Sequence, residues 1–283
     1  MKTGFITWED FHDRKDIASS RIRAKWVAKY WQGAEMYVPG QKYDVEIFQK
    51  VYWTGHMKAS SAIKILDICD PDFLETQSLF FDALEYADAI TFPTQAFHDY
   101  LCKITDKPLK LVPDRLDLEL FTAKKQHTEK AKKVVWFGYA QNQGCLNQTA
   151  DTLRKLGLKL TIVSDDARVY LKKLEDAKLY DFVKYNQQSA FADIMEAGDI
   201  ALLPPFQEPS YSRTFKSNNK EITAWSLGLP VAKNAEELEY YLDPEHRRQA
   251  VAENWVQMKA VYDARLSVVD YLDVIKQVIN GKS

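Results

Sequence analysis

The stretch of sequence most suited to chemistry is Phe215-Lys216-Ser217-Asn218-Asn219-Lys220-Glu221. It sets two lysines, a hydroxyl and two amides at the start of a helix that ends at Gly228 and passes within two residues into Pro230-Val231. Cations beside the unpaired amides of a helix start form a preorganised clamp for an anion. A capped amphipathic helix with solvated lysines explains the capping but not why Lys216 and Lys220 bracket the start. A second candidate is Phe137-Gly138-Tyr139-Ala140-Gln141-Asn142-Gln143-Gly144, where Gly138 allows a tight turn and the loop amides could approach a diphosphate. Its glycines are spaced wrongly for the Gly-x-Gly-x-x-Gly dinucleotide fingerprint, and a plain strand-to-helix turn is the alternative. A third is Ala18-Ser19-Ser20-Arg21, two hydroxyls and a cation opening a helix, readable as a phosphate or hydroxyl loop or as an ordinary cap. Asp67, Cys69 and Asp70 close a strand, where aspartates hold sugar hydroxyls or turn the chain.

Such residues act only if the chain brings strand ends together, and its pattern is that of parallel sheets with crossover helices. Short β-branched runs predict strands over 5–8, 45–49, 64–69, 89–92 and 109–112, with helices over 20–31, 73–86 and 94–103. From 113 to 133 the apolar period fails and a lysine-rich run follows, which reads as a solvated interdomain connector. The alternation then resumes, with strands predicted over 134–137, 160–163, 182–185, 200–203 and 230–232. Helices are predicted over 146–156, 167–178, 189–196 and 218–227, and the tail is helical with a break at Asp243-Pro244.

Composition excludes several classes. The chain has 283 residues and a formal charge of −2, which is not the balance of a protein that holds nucleic acid chiefly by counterion release. Its length favours two domains over one. Three cysteines with no paired spacing suggest neither a disulfide framework nor a zinc site, and the five histidines show no ligand spacing, so no metal is expected. No run is long and apolar enough for a transmembrane helix, and the start lacks a signal-peptide core; a cytoplasmic location is the expectation.

The order of the second-half segments resembles the nucleotide-sugar glycosyltransferases of GT-B fold, in particular the group often called glycosyl transferases group 1. Val112-Pro113-Asp114-Arg115-Leu116-Asp117 with Phe121 is similar to that family's segment leading into its second domain. Val134-Val135-Trp136-Phe137-Gly138, Ala197-Gly198-Asp199-Ile200-Ala201-Leu202-Leu203-Pro204 and Ala224-Trp225-Ser226-Leu227-Gly228-Leu229-Pro230-Val231 are similar to its later segments. The resemblance covers about residues 112–235. One departure is chemical: the family's paired glutamates would fall on Phe215 and Thr223.

The resemblance implies an α/β chain of two doubly wound, Rossmann-like domains facing across a cleft, with a helical C-terminal tail. The domains would be 1–115 for the acceptor and 116–265 for the donor, with 266–283 a helix packing back on the first. It implies transfer of a sugar from a nucleoside diphosphate-sugar, a UDP- or GDP-sugar first, to an acceptor hydroxyl, with no cofactor and no metal. Lys216 and Lys220, with Arg115, would stabilise the diphosphate; Gly138, Tyr139, Ser217, Asn218 and Asn219 would position it. Asp10, Ser19, Ser20, Arg21 and Asp70 would meet the acceptor, with Asp10 or Asp70 as base if the reaction inverts. The acceptor would be a glycan, a lipid-linked sugar or a modified nucleic acid. Hydroxymethylated DNA bases are an alternative because Arg21, Arg23, Lys25, Trp26, Lys29, Tyr30 and Trp31 interleave cations and rings on the first helix. A nucleotide-sugar epimerase and a non-catalytic two-domain binder of small ligands are the other rivals.

Overall fold

The computed structural model describes residues 1–13, 17–167, 171–176, 178–206 and 214–281, with only the backbone of Glu75 and Asp176. The chain divides into two compact units. The first is Met1–Asp117, Ser210–Asn218 and Val261–Ser283; the second is Leu118–Pro209 and Asn219–Ala260.

The sheet of the first unit is formed by β1 (Thr3–Thr7), β2 (Ala34–Met36), β3 (Val45–Gln49), β4 (Ile63–Asp67), β5 (Ala89–Phe92) and β6 (Leu109–Leu111). Their order is β2-β1-β3-β4-β5-β6, every neighbour parallel. Parallel strands are covered on both faces and read as unbroken buried runs, as β1, β3 and β5 do. One face packs Phe5, Val45, Ile47 and Ile65 against Val27 and Trp31 of the first helix and Tyr271, Val274 and Ile275 of the last. The other packs Ile6, Phe48 and Leu66 against Phe80 and Phe97, and Phe215 joins them.

The sheet of the second unit contains β7 (Lys133–Phe137), β8 (Lys159–Ser164), β9 (Tyr180–Lys184), β10 (Ile200–Leu202) and β11 (Val231–Ala232), in the parallel order β11-β10-β7-β8-β9. Its core holds Val134, Trp136, Leu160, Ile162 and Leu202 with Leu153. In both sheets the strand order reverses beside the first strand, between β1 and β3 and between β7 and β10. Ligands of open parallel sheets bind outside the carboxyl ends of the strands at such points.

Several expectations are corrected. The predicted second-half domain was continuous, whereas Phe215 is 2% exposed in the core of the first unit and carries its neighbours there. The predicted connector is not a solvated tether. Asp114, Arg115, Leu116 and Asp117 are buried in the first unit, where Leu116 bridges the backbone of Asp263, and Phe121, His127 and Ala131 are buried in the second. β2, with three half-buried residues at a sheet edge, went unforeseen. The helix expected from 20 begins at Ala18 and contains a π-turn over Arg21–Lys25. Residues 140–149 form a long 3-10 segment before the helix Ala150–Leu156. Of the helix expected over 167–178, Lys172–Asp176 is observed, and 168–170 and 177 lie outside the described residues. Among the described residues no helix is long and apolar enough to cross a membrane.

The anchoring of the connector depends on a histidine. Gly228 ends the helix Asn219–Ser226 at φ +76°, and its carbonyl accepts from His127 Nε2 at 2.8 Å. Arg247 Nε donates to His127 Nδ1 at 3.0 Å, which fixes the neutral tautomer. Burial holds the imidazole below its ordinary pKa against the pull of the Gly228 carbonyl, and Arg247 adds to the lowering. A group with a lowered folded pKa binds its proton more readily when unfolded, so its contribution is complete above the unfolded value and is lost as pH falls below about 6.5. His127→Gln keeps a donor and an acceptor without titrating. The drop in unfolding midpoint between pH 7.5 and pH 5.5 is therefore expected to be smaller in this variant; an unchanged drop would remove His127 as its source.

Candidate functional site

In the second unit the reversal point lies at the loop after β7. Gly138 has φ +147°, a conformation L side chains rarely adopt, and a Cβ there would lie 2.6 Å from Lys220 Nζ and 3.3 Å from Trp136. The missing side chain is thus what lets the ammonium of Lys220 approach the loop. Lys220 Nζ also stands 4.5 Å from the centre of the Trp136 ring, a cation–π contact. The turn is fixed from β8: Gly138 N donates to Val163 O at 3.1 Å, Ser164 Oγ donates to Gly138 O at 2.7 Å, and Ala140 N donates to Asp165 Oδ1 at 2.8 Å. Tyr139 is 37% exposed beside it. Asn219 and Lys220 open the helix Asn219–Ser226, whose first amides have no partner within the helix. A cation, a glycine turn and a helix start suit a phosphate.

Lys216, Ser217 and Asn218 belong to the first unit, not to this group. Ser217 Oγ donates to Asp114 Oδ2 at 2.5 Å, and Asn218 Nδ2 donates to Tyr262 OH at 2.9 Å. Lys216 Nζ lies 2.8 Å from Asp70 Oδ1, and Lys50 Nζ lies 2.6 Å from Asp70 Oδ2. The clamp read from the sequence is therefore divided between the two units. Burial disfavours the Asp70 carboxylate, but Lys50 and Lys216 outweigh it and hold its pKa below the ordinary carboxylate value. A general base works best near the operating pH, so Asp70 in this pairing is a weak one. Burial pushes the Cys69 thiol well up, and Asp70 pushes it further, so Cys69 is not a thiolate nucleophile.

Asp10, Ser20 and Arg115 are engaged within the first unit. Asp10 Oδ2 accepts from Thr7 N at 2.6 Å and from Thr7 Oγ1 at 3.1 Å, closing the turn after β1. Ser20 is buried and donates to Gln49 Oε1 at 3.2 Å, and Ser19 is half-buried one residue before it. The guanidinium of Arg21 lies 5.6 Å from the Trp26 ring, with a buried Nε that has no hydrogen-bond partner. Arg115 is directed to the tail, with Nε on Val261 O at 2.8 Å and Nη1 on Asp270 at 2.5 Å.

The cations of the first helix are largely engaged. Lys25 pairs with Glu9 and Lys29 with Asp117, each at 2.7 Å. Arg23 is 2% exposed and holds both Asp67 oxygens, at 2.8 and 2.6 Å, together with Asp114 at 2.9 Å and the Val112 carbonyl at 2.8 Å. A nucleic-acid contact through these three side chains would break existing ion pairs. The sequence reading missed Lys50, a non-glycine residue at φ +57° directly after β3, and the part Arg23 plays. Among the described residues, no three His, Cys, Asp or Glu side chains are grouped so as to hold a metal ion.

No family model matches the sequence, and no curated protein matches it either. Solved structures do resemble it. HepE of Anabaena, in complex with UDP-glucose, is 10% identical, with 99% of each chain covered and a TM-score of 0.64. The BGT of phage T4, in complex with UDP-glucose, is 12% identical, with 99% of each chain covered and a TM-score of 0.57. AviGT4, a glycosyltransferase involved in avilamycin A biosynthesis, is 12% identical over 88% of this chain and 81% of its own, with a TM-score of 0.56. At such identities the likeness establishes the fold, and the chain has the two parallel α/β units of the GT-B class.

Proposed function

We propose that this chain is a glycosyltransferase that moves a sugar from a nucleoside diphosphate-sugar to an acceptor hydroxyl. The observation that carries the reading is the pairing of Lys220 with the Gly138 turn at the reversal point of the second sheet. Breaking the sugar–phosphate bond leaves charge on the departing diphosphate, and a preorganised cation with helix-start amides stabilises that charge as it develops. In our reading Lys220 fills this role without a metal, while Gly138, Tyr139 and Asn219 position the phosphates. UDP is the first nucleotide to try, because HepE and the T4 BGT bind UDP-glucose; GDP is the second. Asp70 is our candidate base on the acceptor side, which requires Lys216 and Lys50 to turn to another anion before it can take a proton.

Thermal unfolding in the presence of UDP, GDP, ADP, TDP and CDP tests the proposal, since a ligand that binds only the folded state raises the midpoint. One nucleotide family is expected to raise it selectively, to the same extent with EDTA present. A uniform absence of shifts would sink the reading, and a shift abolished by EDTA would sink its metal-free form.

A further inference from the structure

The Gly138 turn does not stand alone at the carboxyl edge of the second sheet. β7 and β8 run in register with Phe137 beside Val163, so the chain leaving β8 passes next to the turn leaving β7. The first side chain beyond β8 is Asp165, whose Oδ1 accepts from Ala140 N at 2.8 Å and lies 3.3 Å from Ser164 Oγ. One residue on, the Asp166 carbonyl accepts from Nε2 of Gln143, a side chain that is fully buried. The two loops are therefore tied together twice, and the Asp165 carboxylate is held beside the turn before any ligand arrives. Asp165 is exposed, and among the described residues its Oδ2 accepts no hydrogen bond.

A carboxylate in that place selects what can lie over it. It repels a phosphate and accepts from hydroxyls, so the group it suits is an uncharged, hydroxyl-bearing one joined to the phosphate at Gly138. Neighbouring strands are about 4.8 Å apart, and in a nucleotide the ribose directly follows the phosphate and presents two adjacent hydroxyls. In dinucleotide-binding βαβ units an acid after the second strand takes this role. Its usual distance of about 20 residues from the glycine turn is lengthened here by the ten-residue 3-10 segment 140–149. We infer, resting on the glycosyltransferase reading, that Asp165 accepts the hydroxyls of the donor's ribose and that the Gly138 site takes ribonucleotides in preference to deoxyribonucleotides. A plain cap for the segment that starts at Ala140 would use Oδ1 alone and be indifferent to the sugar.

Titration calorimetry on the intact protein with UDP and GDP, each beside its 2′-deoxy and 3′-deoxy counterparts, tests this, with inorganic pyrophosphate as the sugar-free probe. Asp165→Asn keeps an oxygen for Ala140 N and removes the second acceptor and the charge. A hydrogen bond to a charged group is worth about tenfold or more in affinity, so the nucleotide that binds the wild type should bind at least about tenfold tighter than one or both of its deoxy counterparts. In Asp165→Asn that ratio should fall to about threefold or less, with pyrophosphate bound at least as tightly as by the wild type because a repelling charge has gone. The inference is overturned by a wild-type ratio below about tenfold, by a ratio still above about threefold after the substitution, or by pyrophosphate binding that weakens with it, which is the mark of a cap alone. Normal nucleotide binding in any of these cases leaves the transferase reading standing, whereas no binding of either nucleotide to the wild type removes that reading and this one together.

Discussion

Arg23→Met should lower the thermal midpoint of the protein by about 6 to 20 °C. The guanidinium is 2% exposed and is the ion-pair partner of Asp67 and Asp114. Removing one partner of a buried pair strands the other charge at a cost of roughly 3–5 kcal/mol, and each kcal/mol moves the midpoint of a domain of this size by about 2–4 °C. The loss is larger than for a surface pair because Asp67 is fully buried and cannot turn to water. Its Oδ1 also accepts from Thr91 Oγ1 at 2.5 Å and from Tyr271 OH at 3.0 Å, so strand β5 and the last helix share the damage. Arg23→Lys keeps the charge but loses the fork that reaches both carboxylates and the Val112 carbonyl, and should fall between wild type and Arg23→Met. Adding Asp67→Asn to Arg23→Met removes a stranded charge and should recover part of the midpoint. A drop of less than about 2 °C in Arg23→Met, measured by calorimetry, would mean that the two carboxylates reach water or other partners when the arginine is gone.

The sequence made the central strands legible because parallel strands covered on both faces are short, largely apolar runs, as Val45–Gln49 and Ala89–Phe92 are apart from Glu46, Gln49 and Thr91. Where that condition fails, the reading failed with it: β2 is a short edge strand whose residues are only half-buried. The lysine-rich stretch 124–133 misled for a different reason. Its lysines carry the hydrophilic signal, while its anchoring comes from His127, Ala131 and the carbonyl of a glycine about a hundred residues later. The candidate site divides in the same way. Gly138 and Lys220 were visible as types suited to phosphate, and Lys216 and Lys220, bracketing a helix start predicted at 218, read together as one clamp. The helix begins only at Asn219, and Phe215 draws the preceding residues into the core of the other unit. Phe11 and Trp53 lie on loops more than forty residues apart in the sequence, and only the strand order, with β1 beside β3, makes them neighbours.

Lys220→Met is expected to reduce sugar transfer, once a donor and acceptor are identified, by about 10²–10³, the range for removing one preorganised stabiliser of transition-state charge. The ammonium stands beside an indole face and a glycine whose Cβ would displace it, so its position is set before any donor arrives. Preorganisation of this kind acts on developing charge, and the loss should therefore appear mainly in kcat rather than KM. Methionine keeps the length and apolar stem of lysine, so packing on Trp136 should survive and the thermal midpoint without ligand should change little. Gly138→Ala in the same assay approaches the geometry from the other side. Its Cβ would sit where Lys220 Nζ now approaches, at a backbone angle alanine resists, so it should lower turnover with the lysine still present and also cost stability. The two variants together distinguish charge from shape: a loss in Gly138→Ala that is absent in Lys220→Met would assign the effect to the loop backbone. Full activity in Lys220→Met would remove this lysine from the reaction and with it the observation on which the proposed function stands.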